Sequence, residues 1–441
     1  MSLPLPRLGH SFQLHSALKR YRALMLAFAA VRWPGRWASI ARRAIHTVEP
    51  ARVRHARAEP NQLLVDVSII SQRDAGTGIQ RVVRSLLLEL LRNPPDGFEV
   101  RPVRAGRKAS YRYANEYLSS LDSSSSYGAD TSIRLSAGDI FLGLDLSSRI
   151  VPSRQREFLA WRAEGVRFAF CVYDLLPALQ PHWFTPPSAK SFVRWLNTLA
   201  VHADVLICIS RSVAEDASTW LRRCCGVAGC EPAVRWFHLG SEFPKASGAL
   251  HQLVPQLRGR SSGFARQSVL VVGTVEPRKG HAQLLDAFEL LWEMGSEVTL
   301  VIAGREGWCV EALSQRLRCH LEAGKRLVWL ADVSDAQLAA LYANLGGLIM
   351  PSEAEGFGLP LVEAARYGMP LLVRDLPVFR EVVGEHASYF SARTGADLAP
   401  QLAAWLDEIQ RGGARRSDQL RCLSWADSAD ALKTLLADVA R

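Results

Sequence analysis

From residue 61 onward the chain repeats one pattern through two long series: a short β-rich apolar run, then an amphipathic helical stretch. Strands that alternate with helices are forced into a mainly parallel sheet covered on both faces. In the first series the predicted strands are Leu63–Ile70, Ile140–Leu144, Phe168–Tyr173, Val205–Ile209 and Val234–Leu239. Predicted helices cover Ile79–Arg92, Pro187–Leu199 and Arg211–Arg222, the first with Val82, Val83, Leu86, Leu87 and Leu90 on one face. A polar break follows at Arg258–Ser268. The second series predicts strands at Val269–Val272, Val298–Ala303, Leu327–Leu330, Leu348–Met350 and Leu371–Val373. Its helices are His281–Trp292, Val310–Leu321, Asp335–Asn344 and Leu361–Tyr367, and Leu398–Ile409 and Trp425–Val439 close the chain. The expectation is an α/β protein of two doubly wound, Rossmann-like units facing a cleft, one over 61–262 and the other over 263–415. A C-terminal helix within 416–441 should cross back to the first unit. Ligands of such sheets bind beyond the carboxyl ends of the strands. Ser123–Ser126 reads as a surface loop.

Charge separates the remaining residues from this body. The chain has 53 Lys and Arg against 43 Asp and Glu, but residues 1–60 hold eleven of the cations and only Glu49 and Glu59 as acids. The body is close to neutral, which excludes a nucleic-acid-binding body and leaves a basic extension suited to anionic lipid. Its longest apolar run, Ala23–Val31, is far short of the roughly 20 residues a membrane span needs. Lys19, Arg20 and Arg22 ahead of that run resemble a secretory signal, but Arg32, Trp33, Pro34 and Arg36 follow at once. Residues 16–43 read as one or two basic amphipathic helices with Trp33 and Trp37 as interface anchors. A solvated leader is the alternative. Cys171 and Cys208 sit in apolar runs as small hydrophobes. Cys224, Cys225 and Cys230 lack the paired spacing of a zinc site, and His238 lies in a predicted strand, so no metal site is assigned. Reduced thiols fit a cytoplasmic protein, and the basic extension fits the inner face of the cytoplasmic membrane.

Three groups of residues carry chemistry. In Glu355-Gly-Phe-Gly-Leu-Pro-Leu-Val-Glu363, closely after a predicted strand, Gly356 and Gly358 let backbone approach a ligand without a Cβ clash. Pro360 suits the first helical position and Gly368 the C-terminal end, so a helix starts at this loop and offers N–H groups to an anion. Glu355 and Glu363 bracket the loop, and a carboxylate can accept a pair of sugar or ribose hydroxyls. In Gly273-Thr-Val-Glu-Pro-Arg-Lys-Gly280, Arg278 and Lys279 lie between a strand and a helix and suit a diphosphate, although the spacing is not that of a P-loop. In the first unit, Asp74-Ala-Gly-Thr-Gly-Ile-Gln-Arg-Val-Val83 opens a helix with Gly76, Thr77, Gly78 and Arg81, and lacks the third glycine of a dinucleotide fingerprint. Tyr173-Asp-Leu-Leu-Pro177 ends a buried strand, where Asp174 could equally cap a turn, and Ser210-Arg-Ser212 follows another.

Together these strings resemble the retaining, nucleotide-sugar-dependent glycosyltransferases of the GT-B fold with the Glu–seven residues–Glu signature. Val301-Ile-Ala-Gly-Arg and Gly368-Met-Pro add to the likeness. The resemblance implies that Glu355 contacts the donor sugar, Glu363 the ribose, and Arg278 and Lys279 the diphosphate. It places Gly273, Thr274, Gly356, Phe357, Gly358 and Leu359 around the donor. Asp174 joins Glu355, Lys279 and Arg278 at the reacting centre, while Gly76, Thr77, Gly78, Arg81, Tyr173, Ser210 and Arg211 line the acceptor side. Thr274 departs from the arginine many relatives carry there, and Tyr173 and Asp174 stand where relatives often have histidine.

The reaction implied moves a hexose from a nucleoside diphosphate sugar to a hydroxyl of a glycan or lipid-linked oligosaccharide, with retention, in cell-surface polysaccharide synthesis. The chain contains no Asp-x-Asp string to hold a metal on the phosphates, and no further cofactor is implied. Forms of these motifs like those of bacterial mannosyltransferases favour GDP-mannose and leave UDP- and dTDP-sugars open. A sugar-nucleotide epimerase of the same fold and a non-catalytic glycan-binding scaffold are the other two readings.

Overall fold

A computed structural model describes residues 8–32, 36–47, 60–121, 127–225, 231–242, 257 and 267–440. Ser123–Ser126, most of the polar break, Trp33 and Cys230 lie outside them. The chain opens with helices α1 (Leu8–Arg32) and α2 (Arg36–His46). The first unit then runs β1 (Asn61–Asp66), α3 (Gly78–Arg92), β2 (Phe98–Arg104), β3 (Arg112–Tyr113), α4 (Asn115–Leu121), β4 (Ile140–Gly143) and α5 (Gln155–Ala163). It continues with β5 (Arg167–Val172), α6 (Leu176–Leu179), α7 (Pro186–His202), β6 (Val205–Cys208), α8 (Arg211–Cys225) and β7 (Ala233–Trp236). The second unit is β8 (Ser268–Val272), α9 (His281–Glu293), β9 (Thr299–Ala303), α10 (Glu311–Cys319), β10 (Leu327–Leu330), α11 (Asp335–Asn344) and β11 (Gly347–Met350). After these come α12 (Leu359–Ala365), β12 (Leu371–Arg374), α13 (Pro377–Val383), β13 (Ser388–Phe390), α14 (Gly395–Gln410) and α15 (Trp425–Ala440).

The first sheet has the order β3-β2-β1-β4-β5-β6-β7, parallel except for the short edge strand β3. The second has the order β10-β9-β8-β11-β12-β13 and is parallel throughout. Strands β4, β6, β9, β11 and β12 are buried at every position, which is why they read as continuous apolar runs. In each unit the chain reverses its direction of travel across the sheet at one point, between β1 and β4 and again between β8 and β11. The loops leaving those strands diverge, and the crevice between them is where ligands of such sheets sit.

Local physics explains where the sequence reading differs. The first strand stops at Asp66, not Ile70, because the Asp145 carboxylate accepts the amide N–H groups of Ile69 and Ile70 at 2.8 Å each and turns Val67–Ile70 out of the sheet. Strand β2 escaped notice because Glu99, Arg101, Pro102 and Arg104 interrupt its apolar positions. Strand β13 has three residues, too few for a period.

The basic extension is packed onto the first unit. Ala23, Ala27, Ala30, Ala38, Ala41 and Ile45 are buried, and α1 and α2 lie against α7. Alanine lets the helix axes approach closely, and Arg42 donates to the carbonyl oxygens of Ala200 and Ala203 at the end of α7. Among the described residues no helix is long and apolar enough to cross a membrane. At the other end, α15 leaves the second unit and lies on α3, with Ser428 Oγ donating to the His238 carbonyl (2.9 Å) and Arg167 Nη1 to the Val439 carbonyl (2.7 Å).

Candidate active site

The site is built on the two loops that flank the β8/β11 switch point. Gly280, at φ +71°, lies so close to the Pro351 carbonyl that a Cβ would sit 2.3 Å from its oxygen. The two loops touch there, and the Glu353 N–H donates to the Arg278 carbonyl at 2.7 Å. Arg374, buried at the end of β12, donates to the carbonyls of Pro351, Ser352 and Ala392 and fixes the second loop from below.

Glu355 is where these loops converge. Arg278 Nη1 donates to it at 2.9 Å, Ser352 Oγ at 2.8 Å, and Lys279 Nζ forms a third, charge-assisted contact. The side chain is 8 % exposed. Burial alone would raise its pKa; Lys279 and Arg278 outweigh burial and hold it at about 2. Arg278 also pairs with Glu276 at 2.7 Å. Asp174 lies in the field of the same groups: burial raises its pKa, and Arg278 opposes the rise. Its Oδ1 accepts the Leu176 N–H at 2.9 Å, so it caps a turn as well.

The strings read from sequence as the acceptor side come from the other domain and close onto this centre. A Cβ on Gly356 would lie 1.9 Å from the Tyr173 carbonyl oxygen, and Ser210 Oγ donates to the Gly356 carbonyl at 2.8 Å. The bareness of Gly356 thus also serves the approach of the opposite domain's backbone. Gly358 (φ +94°) is the N-cap of α12, Leu359 is its first residue, and Pro360 is therefore second, one position later than expected. Gly78 faces Leu359, with 3.9 Å between its would-be Cβ and Leu359 Cδ1. Gly76 is left-handed (φ +64°), and Thr77 caps α3 in a capping box with Gln80. Arg305 reaches across to the Ala75 carbonyl at 2.9 Å.

Arg81 also crosses the cleft. Its Nη1 donates to Glu363 Oε1 at 2.5 Å and its Nη2 to Asp335 Oδ1 at 2.9 Å, while Tyr342 donates its hydroxyl to Glu363 Oε2 at 2.8 Å. Burial raises the Glu363 pKa, more than Arg81 and Tyr342 lower it. Glu381 of α13 crosses in the opposite direction, accepting the N–H groups of Arg211 (2.6 Å) and Ser212 (2.9 Å) at the start of α8, with His238 Nε2 2.8 Å away.

Some expected groups point elsewhere. The Tyr173 hydroxyl donates to the Leu144 carbonyl inside its own domain. The Arg211 guanidinium lies over the Trp236 ring, so its backbone N–H is what meets the opposite domain. Thr274 turns its methyl group toward Gly307. Phe357 is buried, edge-on to His238 with ring centroids 5.5 Å apart. Sequence reading missed Glu381, His238, Tyr342 and Arg374. Only Arg374 left a signal: an arginine ending the apolar run Leu371–Val373 needs buried acceptors. Among the described residues no cluster of His, Cys, Asp and Glu could hold a metal ion.

With this geometry in place, the comparisons decide the family. Residues 264–411 match the family described as glycosyl transferases group 1. Phosphatidyl-myo-inositol mannosyltransferase of Mycobacterium leprae is 34% identical over 271 residues, 56% of this chain and 67% of that protein. The chain belongs to the group 1 glycosyltransferases. The serotype-specific mannosyltransferase WbdA of Escherichia coli is 41% identical to this group 1 glycosyltransferase over 381 residues, 86% of this chain and 45% of WbdA. The chain thus spans less than half the length of that relative. The fold is shared with sucrose-phosphate synthase from Thermosynechococcus elongatus (TM-score 0.60, 16% identity, 86% of this chain and 99% of that one). The two parallel sheets facing each other across the cleft are the GT-B architecture.

Proposed function

We propose that this group 1 glycosyltransferase moves a hexose from a nucleoside diphosphate sugar to a hydroxyl of a glycan or lipid-linked oligosaccharide, with retention of configuration, in cell-surface polysaccharide synthesis. One observation carries the reading: an ionised acid, Glu355, and two cations, Arg278 and Lys279, converge at the strand-end crevice of the second sheet. In this reading the bond from the anomeric carbon to the leaving diphosphate breaks while the bond to the acceptor oxygen forms on the same face. The acceptor proton passes to the leaving phosphate oxygen. Arg278 and Lys279 supply the positive charge that the leaving group needs as it becomes more anionic. Glu355 and Glu363 supply acceptors for sugar and ribose hydroxyls. No protein nucleophile is required, and Asp174 is the acceptor-side polar group coupled to this centre. Closure of the two domains excludes water and so protects the donor from hydrolysis.

The mannosyltransferase relatives favour mannose, hence GDP-mannose as donor. Binding of GDP, UDP and dTDP to the full chain, read as thermal stabilisation, tests this directly, because a ligand that binds only the native state raises its stability by mass action. The largest shift is expected with GDP. A larger shift with UDP or dTDP overturns the choice of donor, and no shift with any of them overturns the donor site.

The reading places the protein in the cytoplasm, at an anionic membrane surface that it meets through residues 16–43. Leu18, Tyr21, Met25 and Phe28 are exposed along one face of α1, opposite the buried alanines, and Trp37 is exposed on α2. Helices α1, α2 and α7 contain no acidic residue. A groove of about 510 Å³ between α1 and α7 is lined by Val31, Pro177 and Ala178 together with Arg32, Lys190 and Arg194, a lining suited to a phosphorylated amphiphile.

A further inference from the structure

Glu363 is a buried carboxylate, its side chain 2 % exposed, and an acid so placed is strongly unfavourable unless paired. Its one cationic partner among the described ion pairs, Arg81, comes from the opposite domain. The Arg81 guanidinium straddles two unequal acids: buried Glu363 and Asp335, which is 47 % exposed in the first turn of α11. Glu355 differs, since Arg278 and Lys279 belong to its own domain. Arg81 lies one turn into α3, and Thr77 at the start of that helix carries the Gly76–Gly78 loop. Whatever moves Arg81 therefore acts on the acceptor side.

We propose that Arg81 is a positioning residue that stands in for the donor ribose: it holds Glu363 until the hydroxyls of a nucleoside diphosphate sugar take over that carboxylate, and then shifts its charge onto Asp335. The proposal rests on the reading of Glu363 as the ribose-binding acid. A buried acid can exchange a guanidinium for two hydroxyl donors without being left unpaired, and Asp335 keeps the displaced cation paired. The exchange links donor arrival to release of α3 and its glycine-rich loop.

The test is nucleotide affinity by calorimetry on the full chain, comparing wild type with Arg81→Ala and Arg81→Lys. The probes are the ribonucleoside diphosphate that binds wild type and its 2′,3′-dideoxy counterpart. If Arg81 occupies Glu363 in about nine-tenths of unliganded molecules, Arg81→Ala should bind the ribonucleotide about tenfold more tightly. Arg81→Lys, which keeps the charge, should stay near wild type. The dideoxy probe, which has no hydroxyl pair with which to displace Arg81, should not bind wild type as the ribonucleotide does, and its loss relative to the ribonucleotide should be larger in Arg81→Ala. Hexose transfer by Arg81→Ala should fall while donor affinity rises, a split that mere loss of structure does not produce. Weaker ribonucleotide binding by Arg81→Ala, or equal changes for both probes, overturns the proposal. Failure of wild type to bind any nucleoside diphosphate overturns the reading of the site on which it rests.

Discussion

The floor of the cleft and its rim draw their charges from different places. On the floor, Glu355, Glu276, Arg278 and Lys279 all belong to the second domain and lie within eighty residues of one another. On the rim the charged groups find partners across the cleft: Arg81 pairs with Glu363, Glu381 with His238 and the first turn of α8, and Ser210 with Gly356. The ion pairs of the floor are complete in one domain, and Asp174 is the one group the other domain adds to their field. The rim exists only when the domains meet. The ion pairs of the floor and the contacts of closure are thus separable in this molecule, and substitutions on the two regions should fail in different ways.

The largest effect is expected on the floor. Glu355→Gln keeps the shape of the loop and removes the charge that Lys279 and Arg278 hold ionised; Arg278 keeps its pair with Glu276. Transfer by the folded variant should fall by roughly 10²–10³-fold, the usual consequence of removing one preorganised electrostatic group, and the melting temperature should fall as well, because buried Lys279 loses its carboxylate partner. Transfer at the wild-type rate would show that the floor is structural. Next comes Gly356→Ala on the rim. The new methyl group would meet the Tyr173 carbonyl, so the domains could not close to the observed distance. Nucleotide affinity should remain near wild type while transfer falls about 10- to 100-fold, since a misplacement of about 1 Å already costs that much. Unchanged transfer would mean that the productive state is more open than the structure.

The same division governs what the sequence discloses. The floor is legible because its residues fall in two short strings, each shortly after an apolar, largely buried strand, and glycine and proline mark the turns. The rim is not. Arg81 and Glu363 are 282 residues apart, and His238 and Glu381 are 143 apart, and no period or spacing relates them. The Glu–seven residues–Glu string suggests that its acids are equivalent neighbours, yet folding gives one its cations from within and the other its cation from across the cleft. The first sheet was read less well for a related reason: β2, near the edge, mixes charge and Pro102 among its apolar residues. The helical character of residues 16–43 was legible, but the inward face of alanines, which ties it to α7, was not, because alanine is neutral to every hydrophobic pattern.

A smaller effect should follow from the acid side of the rim. Burial would raise the Glu381 pKa, but the contacts with His238, the Arg211 and Ser212 N–H groups and the Ser212 hydroxyl outweigh it and lower the value from 4.5 to about 2. A carboxylate with a depressed folded-state pKa stabilises the fold above its unfolded value and loses that contribution as pH falls through the folded one. Urea unfolding of wild type and Glu381→Gln should therefore differ by about 1 kcal/mol at pH 6, the order of a helix N-cap. The difference should shrink between pH 4.5 and about 2. A gap that persists unchanged at acid pH would show that the carboxylate charge is not what joins the domains.

The least effect on stability is expected on the outward face of α1, and it separates a third region from the other two. Phe28 is 44 % exposed, so Phe28→Ser removes little packing and should leave the unfolding free energy within about 0.5 kcal/mol of wild type. The same holds for Leu18→Ser. If that face meets lipid, the double variant should nonetheless float less with vesicles rich in anionic phospholipid, because each substitution withdraws apolar surface from the bilayer interface while the neighbouring cations remain. Neutral vesicles should recruit neither protein, and added salt should release the wild type from anionic ones. Equal flotation of variant and wild type would assign the attraction to charge alone, and the exposed apolar stripe would then have no part in it.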